Sequence, residues 1–418
     1  YSDGGNQWAR VMLNGYDQVI GAIISNPANA SLVVQNADTG LAAPATLTIK
    51  SDTVGSTIAS GSFLRDSSDL QSVLRVVKDG LAPLYLAGNN VTFSGGLVNN
   101  RGLTVLDNVA GFRSNIVNNG TLEVSVAGAS WTLGLGLLNS VFYPYSISGT
   151  GDIMITGSNT QTLTWNAPWN TPNDYSGATK IFGGFVRLRD GALSAASNLQ
   201  VNGGIVSVAG DFTRGFGTGA GQVQLNGDVA FAARTLPMNV AFGGVSTPDT
   251  VVLGRPESTI TSLWLNDVGA SGNLRFYNPV DLNGVRLQVR AEGSAVMPTP
   301  LAPANVVKLS TMSGAISSSL AGGGLTKSTY GGPTMVVGGS LSAVDGVGLS
   351  SASNLNLVTG VLESSGTLVR SVGTGPGQVQ MGQLVISGVS TTNASQLVTV
   401  PSTADLGVGM AAVSYTHL

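Results

Sequence analysis

The chain has no cysteine, and its single histidine, His417, stands next to the last residue. Disulfides and thiolate metal sites are therefore excluded, and Ser-His-Asp, Cys-His and histidine-based metal arrangements are excluded in practice. Charge is scarce as well. Asp, Glu, Lys and Arg make up 10% of the 418 residues, against roughly 25% in an average soluble protein. The net charge is −3 and no Lys/Arg run exists, so the basic footprint of a nucleic-acid binder is missing. No stretch approaches the ~18 consecutive apolar residues of a membrane helix. Apolar runs such as Val408–Val413 are short and glycine-broken. Glutamate is confined to Glu123, Glu257, Glu292 and Glu363, and no two are close enough in sequence to suggest a carboxylate pair. No P-loop or Ca²⁺-binding nonapeptide repeat is present. Gly217-Thr218-Gly219 lacks the following helix of a dinucleotide site and reads as a turn. No catalytic, cofactor-binding or metal residue is assigned, and no cofactor is expected.

What is abundant points to β-structure. Glycine occurs 58 times, 42% of residues are hydrophobic, and the mean hydropathy is +0.25. Small residues for turns beside many β-branched residues for strands make an all-β composition with enough apolar surface for a core. Repeats then specify the architecture. Leu193-Ser194-Ala195-Ala196-Ser197-Asn198-Leu199 returns 156 residues later as Leu349-Ser350-Ser351-Ala352-Ser353-Asn354-Leu355. At the same offset Gly210, Arg214, Gly217-Thr218-Gly219 and Gly221-Gln222-Val223-Gln224 return as Gly366, Arg370, Gly373-Thr374-Gly375 and Gly377-Gln378-Val379-Gln380. A shorter period shows where Val98-Asn99-Asn100-Arg101-Gly102-Leu103-Thr104-Val105 is followed 19 residues on by Val117-Asn118-Asn119-Gly120-Thr121-Leu122-Glu123-Val124. Periods of about 20–25 residues mean solenoid coils, each too small to bury its apolar face without a stacked neighbour.

Within coils, apolar and polar residues alternate, so strands with one buried face are expected. Leu122, Val124 and Val126 should point inward, as should Leu47 with Ile49, and Val285 with Leu287 and Val289. Asp69–Lys78 fits a helix by the spacing of Leu70, Val73, Leu74 and Val77, but the repeat phase favours a strand. With coils averaging about 22 residues, the chain would hold roughly 18 of them. The expected organisation is a β-solenoid over 1–295 with an aromatic-rich insertion near 141–175, a Pro-rich seam at 296–304, and solenoid again over 305–413. Residues 414–418 follow no upstream pattern and are expected to be a non-native tail. With no initiator Met at Tyr1, the whole reads as a piece of a longer rod.

Several segments resemble the autotransporter-associated β-strand repeat. Val77-Lys78-Asp79-Gly80-Leu81-Ala82-Pro83-Leu84-Tyr85-Leu86 leads to Phe93-Ser94-Gly95-Gly96 and on to Val105. Ser148-Gly149-Thr150-Gly151 leads, through an insertion, to Asn173-Asp174-Tyr175-Ser176-Gly177-Ala178-Thr179 and Gly183-Gly184-Phe185-Val186. A degenerate third copy starts at Gly324-Leu325-Thr326-Lys327. This resemblance implies a right-handed parallel β-helix, exported across a bacterial envelope and displayed extracellularly or at the cell surface. The leading functional expectation is a structural protein forming or decorating a filament, sheath or surface layer, because exposed coil ends and strand edges could pair with another copy. A monomeric adhesin passenger that binds glycans or host and biofilm surfaces is the first alternative, and a polysaccharide-active β-helix enzyme the second. The expected partners are another copy of the chain or a surface polysaccharide.

Two groups of side chains are candidates for a site. Phe142, Tyr143, Tyr145, Trp165, Trp169 and Tyr175 gather in a chain with only 6% aromatics. Such residues could contact another subunit or stack on sugars, or form a local core beneath the insertion. For carboxylate chemistry the candidates are Arg65, Asp66 and Asp69, or Arg187, Arg189 and Asp190. The bland reading of both sets is a solvated strand face with a turn aspartate.

Overall fold

The computed structural model describes residues 8–25, 31–38, 42–67, 69–138, 141–166, 172–267, 269–281, 283, 285, 288–291, 309–312, 316–317, 334–336, 340–342, 345–346, 349–357, 361–364, 367–381, 390–391 and 398–399. The expected seam at 296–304, the tail at 414–418, the third copy at 324–327, Leu287 and Trp169 lie outside these residues. Contacts divide the chain into two compact units, 1–380 and 381–418.

The first unit is a parallel β-solenoid without a helix among its described residues. Its fifteen-stranded sheet holds two ladders, each growing by one strand per coil, which meet on the long strand Gln222–Phe231. Leu86, Leu106, Val124, Ile155, Ile181, Val201 and Leu225 lie in register on successive strands. All seven are buried. A six-stranded sheet forms a second face, where Val76, Leu97, Ile116 and Ile147 follow one another in the same way. Each such side chain contributes ~1.5–3 kcal/mol on burial, and one cluster runs from Leu13 to Val379. No coil could bury this row alone, which is why the repeat recurs.

Leu47 and Ile49 point inward, and so do Leu122, Val124 and Val126, with Glu123 facing outward. Val285 packs against the core from a half-buried position. The segment at 69–78 resolves into a turn followed by a strand, Leu74–Asp79, with Leu74, Val76 and Lys78 inward. Leu70 adopts φ 64, a left-handed conformation that ends any helix there.

Two details of the repeats differ from the sequence reading. Asn99 pairs with Asn118 at an offset of 19, but Thr104 pairs with Leu122 at an offset of 18. The ladder from the preceding coil skips from Lys78–Asn99 to Asp79–Arg101, so Asn100 is an extra, bulged residue. A bulge of one residue exchanges the two faces: Thr104 and Leu106 turn inward where uniform spacing would place Leu103 and Val105. Coils are also unequal. Leu97 pairs with Ile116, Ile116 with Ile147, and Leu225 with Ser258, giving offsets of 19, 31 and 33. Insertions at the corners lengthen coils beyond the expected average and lower their number.

In the second unit, Ser390–Thr391 pairs antiparallel with Val398–Thr399.

Candidate functional site

Residues 135–144 form a hairpin beside the solenoid strands. Trp131–Leu133 stacks in parallel on Thr162–Trp165 like any coil strand. The chain then turns at Gly134, and Leu135–Leu138 pairs antiparallel with Val141–Pro144. This is the one antiparallel strand pair of the first unit among the described residues. Its base is pressed onto the coil below. A Cβ on Gly136 would sit 1.8 Å from the Phe112 carbonyl oxygen, so only glycine fits, and the Leu137 amide donates to the Ala110 carbonyl at 2.9 Å. The hairpin presents Leu137, Val141 and Phe142 at 49%, 51% and 58% exposure. Three neighbouring apolar side chains held outward in this way form a contact surface rather than scattered exposure.

The aromatic candidates separate into two groups. Phe142 is exposed, and half-buried Tyr143 lies under the Arg113 guanidinium, 5.3 Å from the ring centroid. Tyr145, Trp165 and Tyr175 are fully buried, which corrects the expectation that they could contact a subunit or a sugar. Tyr145 meets Phe112 edge-on at 5.1 Å, and Trp165 stacks on Tyr175 at 6.2 Å. The Tyr175 hydroxyl pairs with that of Thr179 at 2.8 Å. Burial raises the pKa of both tyrosines. These rings belong to the main buried cluster of the solenoid.

The acidic candidates resolve into a staple. Asp66 is fully buried, and its carboxylate accepts from the Leu74 amide at 2.7 Å, the Ser94 amide at 3.1 Å and the Ser94 hydroxyl at 2.7 Å. Arg113 Nη2 completes the set at 2.5 Å, and its Nε donates to the Thr92 carbonyl at 2.8 Å. Asp66 thus joins successive coils, and its partner Arg113 supports Tyr143 of the hairpin. A carboxylate so fully occupied is not available as a general acid or base, which corrects its candidacy. Arg65 donates to Gln35 Oε1 at 3.0 Å and lies over the Phe63 ring, and burial lowers its pKa. Asp69 accepts from the Ser67 hydroxyl at 2.5 Å and the Gln71 amide at 3.2 Å within its turn. Arg187 is half-buried on the outward face of Phe185–Leu188, with Arg189 and Asp190 exposed just beyond. Among the described residues, no cluster of three metal-ligating side chains occurs and no helix is long and apolar enough to cross a membrane.

Sequence reasoning missed Leu137 and Val141 as surface residues and Arg113 as the hairpin's anchor. The Leu135-Gly136-Leu137-Leu138 run before Asn139-Ser140 carried a hairpin signal, since apolar residues flank a polar two-residue turn. Nothing local marked Arg113, because Asp66 lies 47 residues away.

Fold and surface together define a parallel β-solenoid carrying an apolar hairpin on its wall. In an alignment 220 positions long that covers 44% of the chain, it is 31% identical to a protein named adhesin BmaC autotransporter from Brucella suis biovar 1 (strain 1330). The aligned part spans 6% of that relative's length. No family model matches the chain, so the repeat resemblance rests on its own residues. No solved structure matches it.

Proposed function

We propose that this chain is a section of an autotransporter-type passenger, displayed at the cell surface, which acts as an adhesin rather than an enzyme. The observation that carries this reading is the similarity to the Brucella autotransporter adhesin. The parallel solenoid supports it, because stacked coils make a rod that holds binding surfaces away from a membrane. The hairpin of Leu135–Leu138 and Val141–Pro144 is the adhesive element, with Phe142 as its aromatic anchor. Cells displaying the chain should adhere to a test surface, and Phe142→Asp with Leu137→Ser should abolish adhesion at unchanged display. Full adhesion by that double variant would remove the hairpin from the reading. Equal adhesion by cells lacking the chain would remove the adhesin reading itself.

Self-association into a filament or surface layer is the second reading, favoured by exposed apolar side chains: Tyr16, Val19 and Ile24 are 71%, 70% and 66% exposed. Such side chains along one stretch offer a contact surface to another copy. Electron microscopy of concentrated protein tests this: isolated monomers throughout would dispose of the filament.

A further inference from the structure

In an antiparallel pair, residues directly opposite each other share a face and successive residues alternate. Leu137 is opposite Phe142, so these two lie on one face of the hairpin, and Val141 lies on the other with Tyr143. Tyr143 is half-buried beneath the Arg113 guanidinium, while Val141, two residues nearer the turn, is 51% exposed. That face is therefore covered at its base and open toward the turn. Leu137 and Phe142 are open on the opposite face. The Leu137 amide ties the hairpin to the Ala110 carbonyl, and the Tyr145 amide closes its base on the Gly134 carbonyl at 3.2 Å. The result is a pinned hairpin that is apolar on both faces toward its turn.

The distribution of these side chains selects what covers them. A strand pair that docks one face on a protein keeps its other face polar for water, and this one does not. Three half-exposed side chains offer only a few hundred Å², below the ~800 Å² that each partner of a stable protein complex buries. A second copy is therefore not held by this surface alone. The same surface suits the boundary between lipid headgroups and acyl chains, where an apolar element meets apolar surroundings on every side. Insertion stops at that depth, because strand edges need water for their backbone groups. Charge agrees with this. No Asp, Glu, Lys or Arg stands between Glu123 and Asp152, so both strands and their turn enter without carrying an ion into lipid. Arg113, the cation at the hairpin's base, has a side chain only 7% exposed and committed to Asp66, so it is not offered to phosphates.

We propose that the turn end of this hairpin, through Leu137, Val141 and Phe142, inserts into the headgroup boundary of a phospholipid bilayer. This deepens the reading of the hairpin as the adhesive element and rests on it: the partner is the lipid itself rather than a protein or glycan on the target surface.

The test floats the purified full chain with vesicles of phosphatidylcholine, alone or mixed with phosphatidylserine. The chain should float with both, equally at low and high salt. Phe142→Asp and Val141→Asp, on opposite faces, should each lower the partition at least about tenfold. Phe142→Trp should keep it and add emission that shifts to the blue on vesicles and is quenched by brominated acyl chains, a signal that does not depend on the aspartate variants folding. Wild-type partition in a folded Val141→Asp protein would mean docking by one face and overturn insertion. So would binding that requires phosphatidylserine and fades with salt, or Phe142→Trp emission that vesicles leave unchanged. If the wild type does not float while Phe142→Asp with Leu137→Ser still abolishes cell adhesion, the lipid is struck out and the adhesive hairpin stands. Adhesion kept by that double variant removes the hairpin reading, and this proposal with it.

Discussion

The corners around Arg370 and Arg214 share a scaffold and differ in charge. Asn354 donates to the carbonyls of Gly373, Gly375 and Gln378 at 3.1, 3.1 and 3.3 Å. Asn198 does the same to Gly217, Gly219 and Gln222 at 3.1, 2.9 and 3.3 Å. Gln378 and Gln222 each fold back to accept from the amide of Gly375 or Gly219. A Cβ at Gly373 or Gly217 would fall 2.2 or 2.5 Å from that glutamine oxygen, at φ 158 and 147, so glycine is required at both. Backbone geometry is thus kept by residues present in both copies. Arg370 is paired with Asp345, whereas the buried Arg214 Nε has no hydrogen-bond partner among the described residues. A corner can therefore keep its fold whether or not its arginine has an acid partner.

The sharpest way to break this comparison is to remove the acid. The Arg370 side chain is 1% exposed, so Asp345→Ala leaves a buried guanidinium without its partner. That should cost ~3–5 kcal/mol, read as a lower urea midpoint. Arg189→Ala, at the matching position, should change stability by no more than ~0.5 kcal/mol, as for an exposed side chain. Equal effects would mean that the corners do not differ as described. A smaller effect checks the shared scaffold. Asn198→Ala and Asn354→Ala each leave carbonyls unsatisfied and should each cost ~1–3 kcal/mol. The amides around Gly219 and Gly375 should lose hydrogen-exchange protection to similar extents. A large loss at only one of them would break the equivalence of the two scaffolds.

Much of this architecture is legible in the sequence, because a solenoid repeats its local rules. The alternation of Leu122, Val124 and Val126 needs only period-2 strands, and the 156-residue repeat announces two equivalent corners. The bulge at Asn100 is not legible, since the 19-residue match runs straight through it while the ladder does not. Burial of Tyr145, Trp165 and Tyr175 is hidden for a different reason. An aromatic-rich stretch looks the same whether it lines a surface or fills the core, and the deciding contacts with Phe112 and Thr179 depend on stacking. Asp66 and Arg113 illustrate the general limit: a charge pair 47 residues apart has no sequence signature when coil lengths vary. Arg189 and Asp345 form the opposite case. Both were in plain view, but the contrast acquires meaning only once Arg370 is seen gripping an acid that Arg214 lacks.

Lys78 extends the comparison to a cation that can discard its charge, with the smallest expected effect. Its side chain points inward at the position where the next coils carry Asn99 and Asn118, which are joined by a 2.8 Å amide contact. Nζ donates to the carbonyls of Gly80 and Arg101. No salt bridge to Lys78 is present among the described residues. Burial, and then the charge of Arg101, lowers the Lys78 pKa below its usual 10.5, while Asp52 and Asp79 oppose this. Between the folded value and 10.5 the unfolded chain holds more protons than the folded one, so stability must rise with pH across that window. Lys78→Met should remove this rise, measured as the difference in urea midpoint between wild type and variant as pH approaches 10.5. Arg214 should show no such slope there, because a guanidinium keeps its proton. An unchanged slope in Lys78→Met would show that this lysine escapes desolvation. The buried-cation contrast would then belong to the arginine corners alone.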